Sequence, residues 1–109
     1  MSQQEFLESY RRLVIAKDDA AHLEIAATAK DEQFRQAMQA KIKTSLAERS
    51  ARMRALLNKI DDPRTLMVIH RYYVMGMTDP AIGHEMHLSK SRVNQLRLRY
   101  LHSLLKEAG

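Results

Sequence analysis

The chain has 109 residues, enough for one ordinary domain or a small domain with a helical arm, and its lack of cysteine excludes disulfide frameworks and thiolate metal centres. Three glycines and two prolines among many strong helix formers point to an all-α fold. The formal charge of +5 suits a polyanionic partner, and no run approaches the roughly 20 apolar residues that span a bilayer.

The first residues lack the charged-then-apolar pattern of a signal peptide, so a cytoplasmic location and no membrane partner are expected. Ser2 and Glu5 have the spacing of a capping box, with Met1 and Phe6 where a hydrophobic staple would stand, and a helix is predicted to start at once. Phe6, Leu13, Ala20, Ala27 and Phe34 recur every seven residues, with Ala16 and Leu23 in the companion positions of a coiled-coil seam. Beyond Phe34 the apolar line passes to Met38, Ile42, Leu46, Met53, Leu56 and Ile60, and Asp61, Asp62 and Pro63 interrupt it.

Residues 1–60 therefore read as a helical arm, either one long helix or a hairpin, since no glycine or proline marks a bend. Thr28 and Asp31 could form a second capping box at a break. Met1 to Phe34 holds 4 basic and 7 acidic residues, net −3, and Arg35 to Lys59 holds 7 basic and 1 acidic, net +6. Opposite charge in the two halves favours helix pairing, within or between subunits, and a homodimer through the arm is expected.

Residues 61–109 read as a second unit of three helices. Asp62 and Pro63 are an N-cap and first-turn pair for a helix that carries Leu66, Ile69, Tyr72 and Tyr73 and stops at Gly76. Asp79 is the predicted cap of the next, with Pro80 tolerated in its first turn, and Ser89 that of the last. Counting from Asp79, the fourth, eighth, tenth, fifteenth and eighteenth residues are Ile82, Met86, Leu88, Val93 and Leu96, all apolar, and the fifth is Gly83, where two helices would cross closely. That combination is the apolar code of a helix-turn-helix.

At 100° per residue, Val93, Leu96, Tyr100 and Leu104 share one face of the last helix, and Ser91, Arg92, Asn94, Gln95 and Arg99 fall to its sides and back. In a major groove Arg pairs with guanine and Asn or Gln with adenine, while Lys90 and Arg99 suit phosphates and Ser89 with the helix N-terminus attracts one. Leu98, Leu101 and Leu105 form a second apolar stripe expected to meet the arm or another subunit, and Met67, Met75, Met77 and Met86 are expected to fill the small core.

The stretch "MTDPAIGHEMHLSKSRVNQLRLRYLHSLL" resembles region 4 of sigma-70 superfamily factors, in whose flagellar type a "S-x-S-R-V-x-Q-L" run opens the promoter-reading helix. With "DDPRTLMVIHRYYVMGMT" before it, Asp61 to Leu105 is similar to small phage and prophage sigma-like regulators of the ArpU and RinA type, in which a helical arm precedes the region 4-like module. The resemblance implies base- and phosphate-contacting roles for Ser89, Lys90, Ser91, Arg92, Asn94 and Gln95, transcription regulation in a bacterial host, and RNA polymerase as a further candidate partner. His87 and Ala81 depart from the pattern: the turn often has glycine at the first position, where a positive φ adds about 1 kcal/mol for other residues, and the second is commonly acidic. No counterpart of region 2 is found, so a sequence-specific double-stranded DNA-binding activator or repressor is expected rather than a complete sigma factor.

Two other readings share these residues: a sigma-like adaptor that docks on RNA polymerase or a regulatory protein, and a small DNA-recognising subunit of a phage packaging terminase. His84 and His87 flank Glu85 without a third convergent ligand, and no phosphate loop, nucleophile elbow or carboxylate pair occurs, so neither a metal site, a cofactor nor an enzyme activity is expected.

Overall fold

A computed structural model describes residues 2–22 and 29–108 of the chain. Every regular element among them is helical: α1 (Gln3–His22), α2 (Ala29–Asn58), α3 (Pro63–Ile69), which widens into a π-helical turn over His70–Val74, α4 (Asp79–Met86) and α5 (Lys90–Ala108). No helix among the described residues is long and apolar enough to cross a membrane.

The arm is a hairpin rather than one rod. Arg52 of α2 lies over the Phe6 ring at 4.3 Å, and further along α1 Tyr10 and Val14 border the same groove as Leu46 and Ser50, so the two helices run antiparallel. Ser2 caps α1, its Oγ accepting from the Glu5 amide at 3.1 Å. The proposed staple through Met1 and the second capping box at Thr28 and Asp31 lie outside the described residues.

The expected heptad seam is displaced. Phe6, Leu7, Tyr10 and Val14 are buried, while Leu13 is only half-buried. A two-stranded seam repeats every 3.5 residues, but α1 packs on α2 and also on the C-terminal helices, and that broader contact selects an ordinary helical face. Its core joins Phe6, Leu7, Tyr10 and Val14 to Met53, Leu56, Ile69, Tyr73, Tyr100, Leu101 and Leu104. Arm and C-terminal helices thus share one hydrophobic core. On α2 the apolar line is buried only toward its C-terminal end, and Phe34 stands 70% exposed.

A second, smaller core lies where α3, α4 and α5 meet: Val68, Ile82, Val93 and Leu96 are buried together, with Tyr72, Met77, Met86 and Leu88 packed against them. The methionine expectation divides accordingly. Met77 and Met86 pack against this core, whereas Met67 and Met75 are exposed at the rims of shallow grooves, Met67 beside Met86 and His87 and Met75 beside Tyr10 and Val14. The second stripe of α5 also divides: Leu101 enters the arm core and Leu98 and Leu105 remain outside it.

The π-helical turn explains how two consecutive tyrosines both turn inward. The Met75 amide reaches the His70 carbonyl, five residues back, at 3.2 Å, and the widened turn ends at Gly76, whose φ of 70° suits glycine. The Tyr72 and Tyr73 rings meet edge to face, 4.9 Å apart at 80°. Tyr73 is fully buried beside α1, and its hydroxyl donates to Glu8 at 3.5 Å. Burial first, and then the Glu8 carboxylate, push its phenol above the ordinary tyrosine range.

Candidate nucleic-acid interface

The turn between α4 and α5 is built by three local devices. Thr78 caps α4, its Oγ1 facing the Ala81 amide at 3.4 Å, so Asp79 is already the first helical residue and Pro80 the second. This corrects the expectation that Asp79 is the cap. Its carboxylate is engaged elsewhere, and the threonine one residue earlier has the extended backbone, φ −85° and ψ 159°, that a cap requires.

His87 ends α4 in the left-handed conformation, φ 56° and ψ 43°, where its side chain is strained. The Leu88 amide then donates to the Gly83 carbonyl at 2.8 Å. Gly83 is required by this return: a Cβ built on it would lie 2.5 Å from the Leu88 carbonyl oxygen. The close approach is therefore to the turn, not to α5 itself. Ser89 caps α5 as expected, its Oγ accepting from the Arg92 amide at 3.0 Å.

Val93 and Leu96 are buried against Val68 and Ile82, and this anchors the rotational setting of α5. The predicted residues then divide. Ser89, Lys90, Ser91 and Gln95 are exposed around the first turns, and Arg92 is half-buried with its Nη1 donating to Gln95 Oε1 at 3.4 Å. Asn94 is half-buried beside Arg97. Arg99 is exposed but stands apart, bordering a pocket with Lys59, Asp61, Thr65 and Tyr100 where α2 passes into α3. Lys90 to Gln95 form one end of the surface and Arg99 its flank.

Arg97, not among the residues predicted for the surface, holds this region together. Its guanidinium donates to both Asp79 oxygens, at 3.2 and 2.7 Å, and to Asn94 Oδ1 at 3.0 Å, while stacking over the Tyr72 ring at 4.1 Å. The other face of that ring carries Arg11 of α1, also at 4.1 Å, whose Nε and Nη2 donate to the carbonyls of Tyr72 and Met77. Burial works most strongly against the charge of Arg97, but the bonds to Asp79 together with the neighbouring Tyr72 and Tyr73 outweigh it and raise its pKa above the ordinary arginine value. One signal was available: residue 97 lies on the wheel between the buried positions 93 and 101, where an arginine requires a partner.

On the outer side of α3 and α4, Arg71 pairs with Glu85 at 2.7 Å, and His84 and His87 are exposed. Among the described residues, no three His, Cys, Asp or Glu side chains converge on one point. Comparison with known protein families, with characterised proteins and with solved structures returns no match to this chain.

Proposed function

We propose that the chain is a sequence-specific double-stranded DNA-binding regulator of transcription, in which α4 and α5 form a helix-turn-helix and the first turns of α5 enter the major groove. The observation that carries this reading is the division of α5: Val93 and Leu96 are buried, and the same turns carry Lys90, Ser91, Arg92, Asn94 and Gln95 on the other sides. A capped helix with donors and acceptors at its start has the chemistry to read base edges, and lysine there neutralises phosphate.

In this reading residues 61–109 read DNA and the hairpin of residues 1–60 supports them and pairs two copies of the chain. The sigma region 4-like sequence of Asp61 to Leu105 supports the same assignment and points to phage or prophage genes in a bacterial cytoplasm. The chemistry is recognition without catalysis or cofactor.

Selection of bound duplexes from a random DNA library at near-physiological salt tests the proposal. An enriched motif is expected. A folded protein that enriches none would overturn the DNA-reading assignment in favour of an adaptor docking on RNA polymerase. A ring-sized particle would instead favour the packaging role.

A further inference from the structure

From the contacts of Asn94 we infer that this residue reads a hydrogen-bond acceptor on the base edge, guanine or thymine, and does not make the paired contact with adenine usual for an asparagine. The inference rests on the proposed DNA-reading role of α5 and specifies what one side chain reads there.

The argument starts from Arg97. A guanidinium carries donors only, so the Asn94 atom 3.0 Å from Nη2 must be the carboxamide oxygen, and the assignment of oxygen and nitrogen follows from chemistry. The same Nη2 reaches Asp79 at 2.7 Å, and Nε reaches the other carboxylate oxygen, so the guanidinium is fixed from two sides. Arg97 and Asp79 have side chains only 13% and 14% exposed, and Tyr72 backs the guanidinium plane. Asn94 is thus tethered by its oxygen end to a group that is itself held, and its NH2 end is left to approach a ligand.

Adenine recognition by a carboxamide uses both ends at once: the oxygen accepts from N6 and the nitrogen donates to N7. The oxygen has two lone pairs, but one is already taken by a guanidinium fixed by Asp79, so turning the carboxamide to set both ends on adenine competes with the bond to Arg97. Guanine, with O6 and N7, and thymine, with O4, ask only for a donor, and the NH2 end supplies it. The positive guanidinium beside the carboxamide further favours an electronegative base edge. Asp79, Arg97 and Tyr72 are positioning residues in this arrangement, and Asn94 is the one that touches the base.

The same library selection is run on the full chain and on Asn94→Ala and Arg97→Ala. The expected result is one motif base pair, G·C or A·T, whose preference falls about threefold to tenfold in Asn94→Ala, the effect of one lost hydrogen bond. A G·C pair there identifies guanine, and where the pair is A·T, replacing its adenine by 7-deazaadenine, which lacks N7, leaves binding unchanged if thymine is the base read. In Arg97→Ala the released carboxamide gains the paired adenine contact, so the preference is for an A·T pair and 7-deazaadenine in that pair weakens binding. Should Arg97→Ala fail to fold, the comparison of parent with Asn94→Ala still decides. Weaker binding of the parent when 7-deazaadenine replaces adenine at the Asn94-dependent pair, or a motif that Asn94→Ala leaves unchanged, would overturn the inference while leaving DNA reading intact. A parent that enriches no motif would fail the broader proposal, and this inference with it.

Discussion

Arg97 and Asp79, 18 residues apart in sequence, meet in a two-bond contact that joins the start of α4 to the third turn of α5. Because both side chains are largely buried, removing one leaves the other desolvated without its partner. Asp79→Ala is expected to destabilise the fold by about 2 kcal/mol, between the values of exposed and fully buried pairs. A double-mutant cycle with Arg97→Ala, read by urea unfolding, checks it. Additive losses would mean that the pair contributes nothing of its own.

At the turn itself two substitutions are expected to act in opposite directions. Gly83→Ala places a methyl group against the Leu88 carbonyl oxygen and should destabilise by about 1–3 kcal/mol as the turn shifts. His87→Gly relieves a left-handed φ of 56° and should stabilise by about 1 kcal/mol. Thermal melts of the two variants, run beside the parent, report both signs. An unchanged melting temperature for His87→Gly would mean that the imidazole gains something at this position that offsets the strain.

The acid side of the stability curve should carry the signature of Asp62. Hydrogen bonds from the Thr65 hydroxyl, at 2.6 Å, and then from its amide, at 3.0 Å, hold this carboxyl below its ordinary value of 3.8. A depressed folded pKa means that the stabilisation is complete above the unfolded value and is lost as pH falls through the lower folded one. Asp62→Asn keeps a capping side chain and removes the titration. Urea midpoints from about pH 5 down to about pH 2 should fall more steeply for the parent than for the variant. Parallel curves would show that the cap is indifferent to its charge.

Individual groups on the proposed groove face should differ in kind. Arg92→Ala and Gln95→Ala are expected to change which sequence is preferred. Lys90→Ala should weaken binding to all sequences alike and lower the slope of log affinity against log salt by about one unit. Binding isotherms on the selected duplex and a scrambled one, at several salt concentrations, separate the two behaviours. Equal loss on every duplex for all three variants would count against base reading.

Pairing of two chains would give a DNA reader two half-sites related by a two-fold axis. A dimeric mass is therefore expected in sedimentation at micromolar concentration. Since Phe6, Leu7, Tyr10 and Val14 are already buried within one chain, the contact should use the part of the arm they leave open, where Phe34 and Met38 are exposed. Phe34→Ser with Met38→Ser should then yield monomers, and a parent that is monomeric at this concentration would end the idea.

Local punctuation was legible in the sequence. Ser2, Asp62 and Ser89 each cap the helix they precede, and Gly76 stops the third helix, because such signals depend on neighbours within a few residues. The one-residue error at Thr78 arose where two good capping residues stand side by side, and the distant partner Arg97 claimed the second. The apolar code from Ile82 to Leu96 anticipated the small core. What could not be read was the part that depends on distant neighbours. Arg11 reaches residues 61 and 66 positions away, and the π-helical turn that presents Tyr72 to it leaves no periodic trace. For the candidate site, exposure of Ser91 and Gln95 followed from the helical wheel, but the engagement of the Asn94 oxygen did not.

The shared core also bears on how the protein comes into being during synthesis. Phe6, Leu7 and Tyr10 leave the ribosome well before Tyr100, Leu101 and Leu104, which help to cover them. Contacts between such distant parts close a long loop and form slowly. The hairpin can assemble early, but until α5 is complete one side of α1 faces water. A nascent chain stalled in that interval would offer chaperones and proteases an apolar helix face that the finished protein hides.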